Sequence, residues 1–169
     1  IDGFVAAMES AAVGNGLDPE TEMGPLANER RIPAMEAMIA DAKSKGADVI
    51  TGGERIGNQG YFFQPTVLRN VSPNTTAMND EPFGPMALIN TFKTYDEAVH
   101  EANRLPYGLA AYAFTSSAET LQKLSCEVES GMLTVNHVGL ALPEVPFGGI
   151  QDSGYGTEGG SDAVEPYLE

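Results

Sequence analysis

The sequence has few of the groups that mark several large classes of protein. It contains one cysteine, Cys126, which excludes an internal disulfide framework and fits a reducing compartment such as the cytoplasm. Lysine and arginine number only 9, against 24 aspartates and glutamates, so the formal net charge is -15. Because nucleic acids and anionic membranes are bound through clustered cations, we expect neither as a partner.

Long apolar runs and targeting segments are also missing. No stretch reaches the roughly 18 consecutive apolar residues of a transmembrane helix. The opening "IDGFVAAMES" has neither the basic start nor the apolar centre of a secretory signal. It does not begin with methionine and it starts within a predicted helix, so we expect the chain to be a piece of a longer protein.

Candidate metal ligands and nucleophiles are equally scarce. His100 and His137 lie far apart and lack the spacing of a metal site, so no metal is expected. Cys126 falls in "LQKLSCEVES", on a predicted helix with leucines nearby and two glutamates directly after it. Since a reactive thiol needs electropositive surroundings, we predict that Cys126 is a buried core residue and not a nucleophile.

What remains is the composition of an ordinary globular protein, 42% hydrophobic and 20% charged, and 169 residues are enough for one domain with a sizeable core. Helical spacing predicts helices over 4–12, 32–45, 95–104 and 117–128. The second is expected to end at Gly46 and to face the core with Met35, Met38, Ile39 and Ala42, and Ser117 is the predicted cap of the fourth. Strands are predicted in "DVITGG", "YFFQPTVLRNV", "MALINTF", "LAAYAFT" and "GMLTVN", with Pro65 indicating an edge strand. Strands alternating with helices predict an α/β fold with a doubly wound, mainly parallel sheet.

One glycine-rich string matches a known pattern by itself. "GYGTEG", residues 154–159, fits the G-x-G-x-x-G spacing of dinucleotide-binding loops. Such a loop needs a strand before it and a helix after it, and neither is predicted here. We therefore expect these glycines to allow tight turns and nothing more.

A second string, "NDEPFGPM" at residues 79–86, is unusual as a connection. Pro82 cannot continue a helix, and Pro85 disfavours helical geometry at the residue before it. A stiff, non-repeating backbone would hold Glu81 and Phe83 in fixed directions. Turn chemistry that merely joins two elements is the alternative interpretation.

Several motifs together are more specific than any one of them. "MGPL", "EPFGP", "PYGLAAYAFT", "VN" and "PFGGIQDSGYGTEGG" occur in the order and with the spacing of the aldehyde dehydrogenase superfamily, which the chain resembles over essentially its whole length. The resemblance implies that residues 1–160 are the later part of a catalytic domain. It also implies that residues 161–169 begin a C-terminal oligomerisation tail, and that the parent protein is a dimer or tetramer.

The resemblance gives the loop at residues 79–86 a role in binding NAD or NADP. Glu81 matches the acid that hydrogen-bonds the nicotinamide-side ribose, and Phe83 matches the ring that packs against that ribose and the nicotinamide. NAD and NADP both remain open, because the residues facing the adenine ribose are not in this chain. The nucleophilic cysteine and the general-base glutamate are expected before Ile1, so the chain alone is expected to be inactive.

The resemblance also indicates substrate residues, with two departures from the family pattern. Phe147 matches a residue lining the aldehyde channel, and Glu158 matches a possible proton relay. Gln151 stands where lysine is usual, and Thr157 replaces the arginine before the glutamate, which puts local ion pairs and subunit contacts in doubt. The tail motifs look closest to the succinate-semialdehyde dehydrogenase branch, but the "LALP" segment around Ala141 lacks the hydroxyl that would hold a carboxylate.

The resulting expectation is oxidation of a small aldehyde, such as a semialdehyde, to the acid through a thioester on a cysteine outside the chain. A coenzyme-A-acylating relative and a non-catalytic binding or assembly module remain alternatives. Self-association is expected through an edge strand that Val164, Tyr167 and Leu168 would favour.

Overall fold

The computed structural model describes residues 1–168, with the side chain of Pro166 left aside. Within it the chain forms two compact units, of which the first ends at Thr91 and the second begins at Phe92. The length predicts a single domain, whereas the contacts divide the chain near its middle. The predicted boundary after residue 160, between the catalytic domain and the oligomerisation tail, stays a prediction.

The first unit contains two helices and a three-stranded sheet. Its elements are α1 (Asp2–Ser10), α2 (Arg31–Ser44), β1 (Asp48–Thr51), β2 (Thr66–Arg69), a 3-10 turn (Thr76–Met78) and β3 (Met86–Ile89). The strand order is β1-β2-β3, with β2 antiparallel to β1 and parallel to β3. The middle strand carries the fully buried Val67 and Leu68, so the centre of the sheet is also part of the core.

The prediction that Pro65 marks an edge strand is wrong, because β2 is the central strand of this sheet. Pro65 lies directly before the strand, where its missing N–H removes no ladder hydrogen bond. The first ladder contact is made by the next residue, since the Thr66 N–H donates to the Pro85 carbonyl at 2.8 Å.

Helix α2 covers this sheet with the face that the sequence predicts. Of the predicted face, Met35, Ile39 and Ala42 are buried and Met38 is half-buried, and Ile32 is buried as well. Met35 packs with the fully buried Phe63 in one core cluster. Burial of this stripe is what fixes the helix on the sheet.

The C-terminus of α2 ends in the Schellman pattern that Gly46 predicts. Gly46 has a φ of 92°, which favours glycine. Its N–H donates to the Lys43 carbonyl at 3.1 Å, and the Ala47 N–H donates to the Ala42 carbonyl at 3.0 Å. These two bonds satisfy carbonyls that the helix end leaves free.

A charged contact ties the same helix end to the 3-10 turn. Asp41 Oδ1 lies 2.7 Å from Lys45 Nζ, and Asp41 Oδ2 accepts the Thr76 N–H at 2.7 Å. The hydrogen bond from Lys45, followed by that from Thr76, holds the pKa of Asp41 below its usual value.

The second unit has one parallel strand pair joined by a helix. Its elements are α3 (Tyr95–Ala102), β4 (Tyr107–Gly108), β5 (Ala110–Ala113), α4 (Ala118–Glu127), β6 (Met132–Val135), β7 (Ile150–Gln151) and a 3-10 helix (Ser161–Tyr167). Strand β5 is parallel to β6, and β4 is antiparallel to β7. The predicted cap of α4 is present, since Ser117 Oγ accepts the Thr120 N–H at 3.2 Å.

The prediction that Cys126 is buried is wrong. The thiol lies on the exposed side of α4, while Thr120, Leu124 and Val128 form its half-buried face. Two residues beyond Leu124 is about 200° around a helix of roughly 3.6 residues per turn, so Cys126 falls opposite the inward stripe. Nearby leucines in sequence do not place a residue on their face.

The tail also departs from expectation. Ser161–Tyr167 form a 3-10 helix and not a strand, and only Leu168 has extended backbone. Val164 and Tyr167 are exposed, and β-favouring side chains select a strand only where neighbouring strands pack against them. Glu169 lies outside the described residues, and the predicted role of residues 161–169 in oligomerisation stays a prediction.

The glycine string is not a dinucleotide fingerprint, as predicted. Gly154, Gly156 and Gly159 have φ values of 120°, 85° and 68°, which side chains rarely adopt. Residues 154–159 form bends and one isolated bridge, with no strand running into an α-helix.

Two asparagines, each directly after a strand, continue the hydrogen bonding of the parallel strand pairs beyond the ends of the strands. Asn90 Oδ1 accepts the Val71 N–H at 2.7 Å, and Asn90 Nδ2 donates to the Val71 carbonyl at 3.0 Å. Asn136 makes the same pair of contacts with the backbone of Thr115, at 2.9 and 2.8 Å. Each side chain thus satisfies both backbone groups of a residue that follows the neighbouring strand.

Replacing Asn90 with alanine should therefore destabilise the first unit. Val71 is buried, so Asn90→Ala leaves its N–H and carbonyl without partners and should lower the free energy of unfolding by about 1–3 kcal/mol. Urea unfolding of the protein carrying this chain measures the effect. Asn58→Ala, at an exposed asparagine, is the control, and equal stability of the two variants would contradict this account.

Candidate functional site

The loop at residues 81–86 is a succession of tight turns. The Phe83 N–H donates to the Glu81 carbonyl at 3.1 Å, the Gly84 N–H to the Pro82 carbonyl at 2.7 Å, and the Met86 N–H to the Gly84 carbonyl at 2.8 Å. Bonds between residues two apart leave the backbone little freedom, and the prolines restrict it further. The stiffness predicted from the sequence is present.

This stiff loop places its acid and its aromatic ring on the surface. Glu81 is exposed, and Phe83 is 63% exposed. A large apolar ring held in water by a rigid backbone is the kind of feature that marks a binding surface. Both predicted coenzyme residues are therefore available to a ligand.

Sequence analysis missed the residue that secures the loop. Arg31, the first residue of α2, donates from Nε to the Phe83 carbonyl at 3.0 Å. Its guanidinium carbon lies 5.5 Å from the centre of the Phe83 ring, within the range of a cation–π contact. The two residues are 52 positions apart, and no local pattern marks Arg31.

Gly84 lets the loop pack closely against α2. A Cβ at this position would lie 2.5 Å from Sδ of Met35, which is fully buried in the core. Only glycine allows the loop to approach α2 this closely. The exposed loop is thereby packed directly on the core of its unit.

In the second unit the structure brings together two other predicted site residues. Phe147 and Glu158 form an isolated antiparallel bridge. The Phe147 N–H donates to the Glu158 carbonyl at 2.6 Å, and the Glu158 N–H donates to the Phe147 carbonyl at 2.8 Å. Both residues line a cleft of 260 Å³, formed by residues 147–149 and 153–158 with Leu109 and Tyr167.

The segment between Phe147 and Glu158 is attached to the body of the unit by side chains. Ser153 Oγ accepts the Gly108 N–H at 3.0 Å. Gln151 has a φ of 54° and donates from Nε2 to Glu129 Oε2 at 2.8 Å. Gln151, which stands where the family pattern has lysine, thus contacts Glu129 through a neutral amide and not through a charged group.

Thr157 is the other departure from the family pattern, and Ala141 is the remaining predicted site residue. Thr157 is half-buried and lines the cleft. Ala141 is exposed in an irregular segment and is not among the residues that line the cleft. The structure therefore brings Phe147 and Glu158 together, and the segment that follows Ala141 lies beside them, since the Pro143 carbonyl accepts the Gly160 N–H at 2.9 Å.

The described residues contain neither a membrane-spanning helix nor a cluster of metal ligands. No helix in residues 1–168 is both long enough and apolar enough to cross a membrane. No group of three or more histidine, cysteine, aspartate or glutamate side chains in that part of the chain is placed to hold a metal ion.

Comparison with known proteins decides the family. The model of the aldehyde dehydrogenase family matches residues 1–169, the entire chain. The chain belongs to the aldehyde dehydrogenase family. The resemblance inferred from the motifs is thereby confirmed.

Individual relatives agree with this assignment. A 4-(hydroxymethyl)benzenesulfonate dehydrogenase of Comamonas testosteroni is 41% identical over all of this chain and 35% of its own length. A mitochondrial succinate-semialdehyde dehydrogenase of Oryza sativa is 41% identical over 98% of this chain and 32% of its own length. The chain spans about a third of the curated relatives it matches.

Solved structures show the same relationship. The betaine aldehyde dehydrogenase of Staphylococcus aureus, in complex with NAD+, is 31% identical and superposes with a TM-score of 0.91. The match covers 99% of this chain and 34% of that one. The predicted α/β class is confirmed, and the small sheets are those of a partial aldehyde dehydrogenase fold.

The contact between Gly84 and Met35 gives a direct test of the loop. Gly84→Ala should lower the free energy of unfolding by about 1–3 kcal/mol, because the added methyl group overpacks the core. In a Met35→Ala background, which removes the clashing atoms, the same change should cost less. Chemical denaturation of the four proteins measures both costs.

Gly16→Ala is the control, since a Cβ there has no heavy atom within 4 Å. An equal cost of Gly84→Ala in both backgrounds would show that the close approach to Met35 is not what selects glycine.

Proposed function

We propose that the protein carrying this chain oxidises a small aldehyde to the corresponding acid with NAD or NADP. Membership of the aldehyde dehydrogenase family supports the reaction class. The observation that carries the proposal is the rigid loop on which Glu81 and Phe83 are both exposed. Such a loop holds one acceptor and one apolar ring ready for a ribose and a nicotinamide before either binds.

The residues at the loop fit a dinucleotide coenzyme. The Glu81 carboxylate can accept hydrogen bonds from two vicinal hydroxyls, and the Phe83 ring offers a flat apolar surface. When bound, NAD(P) accepts a hydride from the substrate carbon. Glu81 and Phe83 would hold its nicotinamide end.

The cleft of the second unit supports the substrate side of the proposal. Phe147 offers an apolar wall that would orient the aldehyde and exclude water from it. Glu158 is exposed and could hold or pass on a proton at its carboxylate oxygens. Their paired backbone hydrogen bonds hold the two residues side by side on the wall of the cleft.

Cys126 is given no role in this chemistry. It lies on the exposed face of α4 and is not among the residues that line the cleft. We assign the nucleophilic thiol to a cysteine outside this chain, on which the acyl group would be carried as a thioester and released by water.

The substrate class follows from the segment around Ala141. Leu140, Ala141, Leu142 and Pro143 carry no side-chain hydrogen-bond donor, and a carboxylate left without donors is costly to desolvate. Within the semialdehyde-oxidising group, this supports an aldehyde less polar than succinate semialdehyde.

Self-association as a dimer or tetramer is a further part of the proposal. Phe92 and Phe114 are 65% and 69% exposed and line an apolar groove of 550 Å³ beside α3, α4 and β5. Apolar surface of this kind is usually covered in an assembled protein.

Glu81→Gln in the full-length protein tests the coenzyme assignment. Loss of the charged acceptor should weaken coenzyme binding or hydride transfer by about tenfold to a hundredfold while the melting temperature stays unchanged. Asp80→Asn, at the adjacent exposed carboxylate, should leave both at the wild-type value. Coenzyme titration and steady-state kinetics provide the comparison.

The same assay identifies the reaction. Acid formed without coenzyme A supports the proposed oxidation, whereas product formed only with coenzyme A would make the protein an acylating enzyme. No turnover of any aldehyde by the full-length protein would favour a non-catalytic module.

Phe147→Ala tests the substrate assignment. Removing an apolar wall should change kcat/KM for bulky aromatic aldehydes by about tenfold or more relative to small ones, because the two classes fill the space differently. Kinetics with benzaldehyde, succinate semialdehyde and acetaldehyde measure the change in preference. An equal loss for all three, with a lowered melting temperature, would make Phe147 a purely structural residue.

A further inference from the structure

Arg31 contacts both the backbone and the side chain of Phe83. Its Nε donates to the Phe83 carbonyl at 3.0 Å, and its guanidinium lies over the Phe83 ring with 5.5 Å to the ring centre. The first contact fixes where the loop runs, and the second limits how the ring can turn. One side chain therefore contacts the backbone of Phe83 and limits the orientation of its ring.

The bond from Arg31 also joins the loop to α2. Arg31 is the first residue of that helix, and its side chain hydrogen-bonds to the Phe83 carbonyl. The loop's own bonds between residues two apart fix its local shape, but they do not attach it to α2.

Arg31 is poorly satisfied where it lies. One of its terminal guanidinium nitrogens, Nη2, is buried and has no hydrogen-bond partner among the described residues. A buried donor atom without a partner lowers stability, and an apolar residue of similar length would avoid that penalty. An arginine kept only for the fold would be a poor choice at this position.

We propose that Arg31 is a positioning residue for the coenzyme, which acts by holding Phe83 in the orientation that the nicotinamide end requires. This inference rests on the function proposed above. Lysine should not replace it, because an ammonium group lacks both the planar face that stacks on the ring and the Nε–H that reaches the carbonyl.

The experiment compares Arg31→Met, Arg31→Lys and the control Arg30→Met in the full-length protein. Arg30 is the adjacent arginine and is exposed. Both Arg31 variants should raise the dissociation constant for NAD+ or NADP+ by about tenfold, with the KM for aldehyde changed less than twofold. Their melting temperature should equal or exceed that of the wild type, and Arg30→Met should match the wild type throughout.

Hydrogen exchange without coenzyme gives a second measurement that does not depend on the proposed function. The amides of Phe83 and Gly84 should exchange faster in both Arg31 variants than in the wild type or in Arg30→Met. If the wild type binds no coenzyme, the proposed function fails, and this exchange still decides whether Arg31 holds the loop.

Three results would overturn the inference. One is a lowered melting temperature with unchanged coenzyme binding, which indicates a structural arginine. Another is wild-type behaviour of Arg31→Lys, which would show that charge alone is sufficient. The third is unchanged exchange of the loop amides in Arg31→Met.

Discussion

The close packing of Gly84 on Met35 is the constraint on which the first site depends. It presses an exposed loop onto the fully buried core between α2 and the sheet. The loop then runs without a break into β3, where the Pro85 carbonyl accepts the Thr66 N–H at 2.8 Å. Any movement of the loop backbone next to Phe83 would therefore have to disturb either the core or the sheet, and this constraint suits a surface that must meet its ligand in one orientation.

In the second unit, hydrogen bonds and not core packing hold the site residues in place. Its cleft is formed by a glycine-rich segment in which the two-residue strand β7 is the one regular element, so its rigidity has to come from attachments. The backbone bridge between Phe147 and Glu158 closes the segment, while Ser153 and Gln151 fasten it to β4 and to Glu129. Glycine there allows the turns, and the hydrogen bonds select one of the conformations that glycine permits.

Sequence patterns predicted the features that depend on residues close together in the chain. The apolar stripe and glycine end of α2, the serine cap of α4 and the stiffness around Glu81 all follow from neighbours within a few residues. The wrong predictions concern what lies across space. Cys126 was placed by nearby leucines and not by its angle around the helix, and the place of Pro65 in the sheet depended on partner strands. Arg31 could not be found, because its contact with Phe83 spans 52 residues.

The central claim is that the loop of Glu81 and Phe83 receives the nicotinamide end of the coenzyme. A crystal structure of the full-length protein with NAD+ or NADP+ bound tests it most directly. The account predicts a Glu81 carboxylate oxygen about 2.5–3.0 Å from a ribose hydroxyl, with the Phe83 ring packed against the same ribose. A coenzyme bound with its ribose hydroxyls held by other residues, and with Glu81 and Phe83 left in solvent, would contradict it.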